Sequence, residues 1–538
     1  MSERIQPRLL KGFRDLMPEW ARARRELIET CRRLYERYGF LPLETPTLEH
    51  RDVLTGDAYG SEGAASIFNF VGPEETPIAM RFDLTVPLAR VVSQYPEIAK
   101  PFRRWQVANV FRVDKPGPGR FREFTQMDID IVGTDKMAAD AEILCIMYEL
   151  FEKELKVPAR IRFSNRKILS GLCEVAGIEK EREADILRVL DKFDRIGVEG
   201  VAQELGVGRV DVSGDKIKGM LLSDEQIKKI TDFLNIPANT RTETLELLKE
   251  HSLNTTDSGI AGIAQLSEIC ELLNALGIPD DKVVIDPSVA RGLAYYTGTV
   301  FECWLTDLPA FGAVFSGGRY DGLVNRFSEL TLPAVGASIG IDRLLAALIE
   351  IGDAGLLERL EYRKATADVL ILPVFGVTHS QAFALAQKYR EAGIKTEVYV
   401  GKEKQPKKMF SYADATGVRF AVIVGPDEIA KNEVSVKDLV EGKKASEELY
   451  ALDHPTEQKV KVTPFALPAM GVPKTTKTAN ESIEELLDLS HKYKQYEEKL
   501  AEAREERRKW LQQRAGQKSM TFDESIQYIL DELKTTTA

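Results

Sequence analysis

Three arginines, Arg112, Arg120 and Arg122, lie close together around a loop rich in proline and glycine. Each guanidinium is a planar fork of hydrogen-bond donors that matches phosphate oxygens. Proline and glycine favour a turn here and restrict the loop that carries the charges. The stretch therefore predicts a site for a phosphate-bearing ligand, although an edge hairpin with solvated charges fits it equally well.

The segment after this loop carries a different chemistry. Met127, Ile129 and Ile131 alternate with polar residues, which is typical of a strand. Since successive side chains of a strand point to opposite faces, Gln126 and Asp130 share one face. An amide and a carboxylate on one face suit a ligand that has both polar and cationic ends.

Two elements are predicted to position these side chains. The first is a pair of strands joined by the basic loop, which forms a rigid base for the charges. The second is a helix beginning at Pro18, with Leu27, Cys31, Leu34 and Tyr35 at helical spacing. We expect this helix to pack on one side.

Another pair of polar residues, Asp83 and Thr85, ends a predicted strand that begins at Ile78 and precedes a helix from Val86. On a strand the two side chains would point to the same face. An aspartate in this position is more often a helix cap than a ligand contact. A role for this pair in ligand binding is supported only if other candidate residues lie beside it.

Two further segments could approach a ligand closely. Arg291 precedes Gly292, which allows a charged side chain to reach a ligand without backbone crowding, and Tyr295 and Tyr296 follow. Aromatic-rich strands usually belong to a core, so this motif alone is weak. Arg343 lies at the beginning of a predicted helix, where its positive charge opposes the helix dipole. A negative ligand nearby would explain an arginine in that position.

The composition is that of a soluble globular protein. At 538 residues we expect roughly three or four domains, and 43% hydrophobic with 29% charged residues is ordinary. No apolar run predicts a membrane span or a secretory signal. Five scattered cysteines without CxxC pairs predict a reducing, cytoplasmic location. The net charge of −11 argues against non-specific nucleic-acid coating but allows a local basic patch.

The chain resembles the histidyl-tRNA synthetases, a family of class II aminoacyl-tRNA synthetases, in motifs that occur in the family's order. These are KGFRDLMP, RFDLTVPLAR, FRVDKPGPGRFREFTQMDIDIVG, RGLAYYTGTVFE, SGGRYDGL and GASIGIDRLL. RGLAYYTGTVFE is a signature of the family, whereas the class II motifs alone would identify only the superfamily. The segment KQPKKMFSYADATGVRFAVIVGPDEI is similar to the family's anticodon-binding domain. The resemblance extends from about Pro7 to Tyr450.

The resemblance implies an α+β fold, with an antiparallel sheet flanked by helices, a helical insertion and a C-terminal α/β anticodon-binding domain. The predicted boundaries are 1–172 for the first part of the catalytic domain, 173–279 for the helical insertion, 280–360 for the second part of the catalytic domain, 366–450 for the anticodon-binding domain, 451–480 for a linker and 481–538 for a charged helical extension. Short amphipathic helices in the insertion and a β-α-β-α-β pattern after Thr366 agree with this division.

The resemblance also implies a reaction. L-Histidine would be activated by ATP with Mg²⁺ to histidyl-adenylate and pyrophosphate, and histidine would then pass to the 3′ end of tRNA(His). No general base is needed for activation because the carboxylate is already ionised at neutral pH. We expect a homodimer, with Pro46 in the dimer-forming motif, no permanently bound cofactor and no metal site built from protein side chains.

Site residues follow from the same resemblance. Arg291 and Arg112 would be catalytic and would grip the α-phosphate and the carboxylate from two sides. L-Histidine is expected to contact Asp83, Thr85, Arg112, Gln126, Asp130, Arg291, Tyr295 and Tyr296. ATP is expected to contact Arg112, Asp114, Arg120, Arg122, Phe124 and Arg343. The α-amino group is assigned to Asp83, Thr85 and Gln126, and the two imidazole nitrogens to Asp130 and Tyr296.

The chain departs from the family pattern in three positions. Asp83 and Asp130 stand where many bacterial members carry glutamate, which resembles the eukaryote-like branch. Ala294 replaces an aspartate that is often seen before the tyrosines. A rival interpretation is a non-charging paralogue, either a regulatory subunit of ATP phosphoribosyltransferase or a tRNA sensor. Such a protein would lose the catalytic arginine, the anticodon-binding domain or the ATP contacts, all of which this sequence keeps.

Overall fold

The computed structural model describes residues 4–55, 67–117, 119–211, 214–290, 296–329, 331–402, 405–453 and 501–537. They form two compact units, Met1–Tyr362 and Arg363–Ala538. Each unit contains hydrophobic clusters of its own, so each has a separate core.

The first unit is built on a large sheet, as predicted. Its strands are β1 (Leu41–Pro42), β2 (Leu48–His50), β3 (Asn69–Val71), β4 (Pro77–Met80), β5 (Phe102–Phe111), β6 (Glu123–Val132), β7 (Ala159–Asn165), β8 (Gly208–Val210), β9 (Lys216–Lys218), β10 (Val283–Ile285), β11 (Thr299–Leu305), β12 (Phe315–Arg319) and β13 (Ala334–Gly340). Eight of these described strands form one sheet in the order β1-β5-β6-β13-β12-β11-β7-β10. The two edge pairs are parallel and the inner pairs are antiparallel.

The predicted hairpin around the basic loop is confirmed. Strands β5 and β6 pair antiparallel over their whole lengths, from Phe102↔Val132 to Phe111↔Glu123. The loop between them turns through Gly119, whose φ of +62° is a conformation that L side chains rarely adopt. A long, fully paired hairpin holds the loop charges on a rigid base.

Helices cover this sheet and form the insertion. They are α1 (Pro18–Arg37), α2 (Arg51–Thr55), α3 (Thr85–Gln94), α4 (Met137–Glu149), α5 (Arg166–Val175), α6 (Lys180–Leu190), α7 (Phe193–Leu205), α8 (Asp224–Leu234), α9 (Arg241–Glu250), α10 (Asp257–Ala275), α11 (Ile341–Ile351) and α12 (Ala354–Arg359). Helix α1 buries Leu27, Cys31, Leu34 and Tyr35, which confirms its predicted apolar side.

The predicted helical segment between Cys173 and Pro279 contains α6 to α10 and a small β8–β9 hairpin. Arg241, at the beginning of α9, is 1% exposed and donates hydrogen bonds to the backbone carbonyls of Ile278, Pro279 and Val283. A buried guanidinium must have such partners. This arginine therefore ties the helices to the strand that returns to the large sheet.

The C-terminal unit is an α/β fold. Its strands are β14 (Val369–Pro373), β15 (Thr396–Val398), β16 (Phe420–Val424), β17 (Glu433–Asp438) and β18 (Lys518–Thr521), in the order β15-β14-β16-β17-β18. Its helices are α13 (His379–Glu391), α14 (Pro406–Thr416), α15 (Pro426–Lys431), α16 (Leu439–Asp453) and α17 (Phe522–Thr537), with a further helix over residues 501–515. The first three strands are parallel, which confirms the predicted β-α-β-α-β series.

The end of the chain differs from the predicted helical extension. Residues 518–521 form a strand that pairs antiparallel with β17, from Glu433↔Thr521 to Val436↔Lys518. Helix α17 buries Phe522 and Ile529 in the core of the same unit. The segment between Asp438 and Lys518 is thus inserted between two neighbouring strands, and the chain end belongs to the domain and does not extend from it.

Within the described ranges, none of the helices combines the length and the apolar character needed to cross a membrane.

Candidate active site

A cavity of about 590 Å³ lies over the central strands of the large sheet. One wall is built from alternate, even-numbered positions of β6. The facing residues of β13 complete it, because Gly336, Ser338 and Gly340 pair in register with Asp130, Asp128 and Gln126. The shared face inferred from strand alternation is therefore the wall of a cavity.

Most of the sequence-predicted residues come together in this cavity. Those that line it are Asp83, Thr85, Arg112, Asp114, Arg120, Phe124, Gln126, Asp130, Tyr296 and Arg343. Arg291 and Tyr295 lie outside the described residues. Arg122 is not part of the lining.

Arg122 instead fastens the basic loop to the N-terminal segment. Its Nε donates to the Asp114 carbonyl at 3.3 Å and its Nη1 to the Lys11 carbonyl at 3.4 Å. Its backbone N–H donates to the Gly12 carbonyl at 2.9 Å. Arg122 therefore positions the loop, whereas Arg120 reaches the cavity.

Arg112 follows the last residue of β5 and is held at the base of its guanidinium. Nε donates to the Phe82 carbonyl at 2.9 Å, and Cζ lies 5.3 Å from the centroid of the Phe124 ring. The backbone N–H of Arg112 donates to the Arg122 carbonyl at 2.9 Å, across the neck of the loop. These contacts present a positive charge to the cavity in a fixed orientation.

A second arginine reaches the same end of the cavity from α11. Arg343 Nη1 donates to the Ala313 carbonyl at 3.0 Å. The basic loop passes beside this side chain, because a Cβ built on Gly119 would lie 3.5 Å from Arg343 Cγ. Loop and helix therefore place several guanidinium groups at one end, as a polyanionic ligand requires.

Asp83 lies in the connection between β4 and α3, and Thr85 is the first residue of α3, which corrects the strand predicted for them. Strand β4 ends at Met80, and α3 begins at Thr85. Asp83 Oδ1 accepts a hydrogen bond from the Val86 N–H at 3.2 Å, and this bond starts the helix in place of a longer strand. Both side chains still line the cavity.

The other end of the cavity is acidic and buried. Asp130 accepts a hydrogen bond from the Tyr320 hydroxyl at Oδ1, and its Oδ2 lies 2.7 Å from Arg104 Nη2. Arg104 is 0% exposed, and the same Nη2 lies 4.0 Å from Asp128 Oδ2. One guanidinium thus faces two carboxylates on neighbouring cavity-facing positions of β6.

Burial dominates the titration of this carboxylate pair. It raises the pKa of Asp128 to about 7, against the attraction of Arg104 and a hydrogen bond from Ser338, and the charge of Asp130 adds to the rise. Burial also raises the pKa of Asp130, again against the attraction of Arg104. When both carboxylates are ionised, the pair carries more negative charge than its single arginine neutralises.

Sequence reasoning missed Asp128 and Tyr320, which line the cavity, and Arg104, which is buried against the two carboxylates. Asp128 was detectable, since it has the same parity on the strand as Gln126 and Asp130. Arg104 faces Asp130 only because β5 and β6 pair in that register. No local pattern marks Tyr320, which reaches Asp130 from the residue after β12.

No group of three or more His, Cys, Asp or Glu side chains suited to a metal ion occurs in the part of the chain that the structure describes.

Comparisons with known proteins agree with this geometry. Residues 12–344 match the family model described as Histidyl-tRNA synthetase, and residues 368–453 match an anticodon binding domain. A Histidine--tRNA ligase of Paracoccus denitrificans is 39% identical over 458 residues, which cover 81% of this chain and 91% of that protein. A Histidine--tRNA ligase of Helicobacter hepaticus is 38% identical over 440 residues, which cover 81% of this chain and 95% of that protein.

Solved structures show the same fold. The crystal structure of histidyl-tRNA synthetase from Nostoc sp. PCC 7120 matches with a TM-score of 0.68 and 32% identity, over 81% of this chain and 96% of that one. An ATP phosphoribosyltransferase regulatory subunit/histidyl-tRNA synthetase from Bacillus halodurans C matches with a TM-score of 0.61 over 79% of this chain and 99% of that one. At 21% identity, that second likeness concerns the fold alone.

Sheet, cavity and C-terminal unit together are those of an aminoacyl-tRNA synthetase. Within that class, the match over residues 12–344 and the 39% identity to a curated relative show that the chain belongs to the histidyl-tRNA synthetase family.

Proposed function

We propose that this chain is a histidine–tRNA ligase, which activates L-histidine with ATP and transfers it to the 3′ end of tRNA(His). One observation carries the proposal. In a member of this family, a single cavity has arginines at one end and buried carboxylates at the other, joined by one face of β6. Such a cavity suits a polyphosphate and a cationic amino acid held side by side.

In the first step, a carboxylate oxygen of histidine attacks the α-phosphorus of ATP. The bond from that phosphorus to the bridging oxygen breaks, and pyrophosphate leaves with the bond electrons. Negative charge grows on the phosphoryl oxygens in the transition state, so a preorganised cation lowers the barrier. Arg112 supplies this charge on one side of the cavity, and we assign Arg291 to the opposite side.

ATP is assigned to the basic end of the cavity as its magnesium complex, so the metal arrives with the substrate. Phe124 provides a ring face for adenine, and Arg343 and Arg120 provide phosphate contacts. Asp114 lies on the same loop, lines the cavity and is also assigned to contact ATP. Arg122 contributes by holding that loop against the N-terminal segment.

Histidine is assigned to the acidic end. Asp83, Thr85 and Gln126 receive its α-amino group, and Asp130 and Tyr296 receive the imidazole nitrogens. Each carboxylate oxygen can accept more than one hydrogen bond, so the contacts that Asp130 already makes do not exhaust it. An amino acid without such donors would leave these buried groups unpaired, which is a strong basis for rejection.

In the second step, a terminal ribose hydroxyl of tRNA attacks the carbonyl carbon of the adenylate, and AMP leaves. The C-terminal unit, which matches an anticodon binding domain, is the part we assign to the other end of tRNA(His). We further propose that the protein acts in the cytoplasm as a homodimer, with Pro46 in the subunit contact.

Exchange of labelled pyrophosphate into ATP tests the activation step. The purified protein should catalyse exchange only when L-histidine is added, since the carboxylate must attack the α-phosphate before pyrophosphate can exchange. Equal exchange with other amino acids, or none with histidine, would falsify the proposal. Absent exchange together with binding of a phosphoribosyltransferase would favour the rival regulatory role.

A further inference from the structure

A buried carboxylate oxygen in the cavity has no hydrogen-bond donor among the described residues. Asp128 lines the cavity and is 3% exposed, and its Oδ1 has no partner there. The neighbouring Asp130 accepts a hydrogen bond from the Tyr320 hydroxyl at Oδ1. Its Oδ2 forms an ion pair with Arg104 Nη2 at 2.7 Å, although it too has no hydrogen-bond donor among the described residues. Since a buried acceptor without a donor is costly, the position of Asp128 points to a donor that a ligand brings.

Two other acceptors face the same space. Gln126 Nε2 donates to Ser338 Oγ at 2.7 Å, which leaves the buried amide oxygen Oε1 without a partner in the described structure. Asp83 also lines the cavity, and its negative charge acts on Asp128. An ammonium group has three N–H donors and no acceptor, so it matches a space lined by several acceptors.

The charge balance favours the same ligand group. Arg104 lies 2.7 Å from Asp130 and 4.0 Å from Asp128, so one positive charge serves two buried carboxylates. The surplus negative charge is costly away from water. A cationic ligand group would neutralise it, whereas a neutral N–H donor would only satisfy a hydrogen bond.

We propose that Asp128 binds the α-ammonium group of L-histidine, as a further acceptor beside Asp83, Thr85 and Gln126. This inference rests on the proposed function and adds a residue to its amino-acid site. It also gives the two carboxylates different roles. Asp128 binds the ammonium group, whereas Asp130, which contacts Arg104 and Tyr320, remains assigned to the imidazole.

Proton release should accompany binding. The titratable or charged groups that act on Asp128 or respond to it are Arg104 of β5, Asp130 of β6, Asp83 before α3, Tyr320 after β12 and Tyr35 of α1. With its pKa raised to about 7 by burial, Asp128 is partly protonated at pH 7 in the free protein. An ammonium group would displace that proton, at about half a proton per ligand bound.

Calorimetry on the full chain with two ligands isolates the contact. L-Histidine carries the ammonium group, and 3-(imidazol-4-yl)propionate lacks it but keeps the ring and the carboxylate. We expect Asp128→Asn to weaken binding of L-histidine by about 10- to 100-fold, as for loss of a charged hydrogen bond, and to change binding of the deamino ligand by less than about twofold. In buffers of different ionisation enthalpy, the proton released with L-histidine should disappear in the variant.

Binding of MgATP shows that the variant is folded, and Asp128→Ser serves for the same comparison if Asp128→Asn fails to bind it. Unchanged affinity for L-histidine would overturn the inference alone and leave the proposed function standing. Parallel losses for both ligands would overturn it as well, because they would place Asp128 on the imidazole. A wild-type chain that binds MgATP but not L-histidine would overturn the proposed function and this inference with it.

Discussion

Asp130 and Gly336 face each other across two paired strands, and a Cβ atom on residue 336 would lie 1.9 Å from Asp130 Oδ1. Such a distance is impossible without movement of the carboxylate, since β6 and β13 are tied by their backbone pairing. The absence of a side chain at residue 336 therefore fixes where the acidic end of the cavity can hold its charge.

Gly336→Ala should displace Asp130 from Arg104 and Tyr320. The added Cβ would also lie 2.6 Å from the Ile129 carbonyl oxygen, so it should move β13 and β6 apart at this point while leaving the basic end intact. We expect KM for histidine in pyrophosphate exchange to rise by about tenfold or more, since a charged hydrogen bond is lost, with KM for ATP nearly unchanged. Gly322→Ala is the matched control, because a Cβ on Gly322 would meet nothing within 4 Å. Equal behaviour of the two variants would argue against the role given to Gly336.

Arg112→Ala should slow formation of the adenylate by about 10²- to 10³-fold, as for removal of one preorganised donor to a developing negative charge. Single-turnover pyrophosphate release measures this rate directly. Arg122→Ala is the comparison, because Arg122 lies on the same loop but outside the cavity lining. We expect its loss to be the smaller of the two, and a larger loss for Arg122 would contradict the assignment of Arg112.

Asp128 also predicts how stability depends on pH. Burial raises the pKa of Asp128 to about 7, above the value of about 3.9 for an unfolded aspartate, so the native state binds this proton more tightly. The stabilisation is complete below about pH 4 and is lost as the pH rises through about 7. Asp128→Asn should therefore have a higher free energy of unfolding than wild type at pH 8, by no more than about 4 kcal/mol. Denaturant unfolding measures this difference.

The same comparison at pH 4 supplies the control, since native Asp128 is then neutral, as asparagine is. The difference in the free energy of unfolding should shrink toward zero there. A variant less stable than wild type at pH 8 would contradict this prediction. It would show that the ion pair of Asp128 with Arg104 stabilises the native state by more than burial of the carboxylate destabilises it.

The C-terminal strand predicts a contrast between two deletions. A chain that stops after Asp453 loses β18 and α17, and with them the buried Phe522 and Ile529. We expect its C-terminal unit to unfold several degrees lower or not to fold, since each buried aromatic or aliphatic side chain contributes about 1.5–3 kcal/mol. Thermal unfolding of the truncated and the full-length chains would show this loss of stability.

Removal of residues 454–500 with a short glycine–serine linker is the matched control. Helix α16 and the helix over residues 501–515 run antiparallel, because Arg507 pairs with Glu448 at 2.6 Å and Arg514 with Glu441 at 3.0 Å. This register brings residues 453 and 501 close together, so a short linker can join them. A control as unstable as the truncated chain would contradict the role given to the strand.

Local pattern was enough to predict the hairpin and the helix that packs on it. The alternation of Gln126 and Asp130 with apolar residues set the cavity-facing side of β6, and Leu27 with Cys31 set the buried side of α1. Asp128 had the same parity but was passed over, because parity cannot show which polar side chains lack a partner. That property depends on Arg104, which reaches the site only through strand pairing.

The strand at residues 518–521 was not predicted for a related reason, although the helices on either side of it agree with the predicted helical extension. Residues 518–521 are only four residues long and contain lysine, serine and threonine, so they show no apolar alternation. Their partner β17 lies about eighty positions earlier in the sequence. Pairing at that distance leaves no local signal, and the highly charged segment between the strands suggested an independent helix.

Translation order gives the position of β18 a further consequence. A ribosome that has reached Asp453 has already made the whole stretch that matches an anticodon binding domain, yet β17 still has no neighbour on one side. An open strand edge invites pairing with another chain, and long-range closure is slow. The nascent protein must therefore keep that edge from aggregating until residues 518–521 emerge.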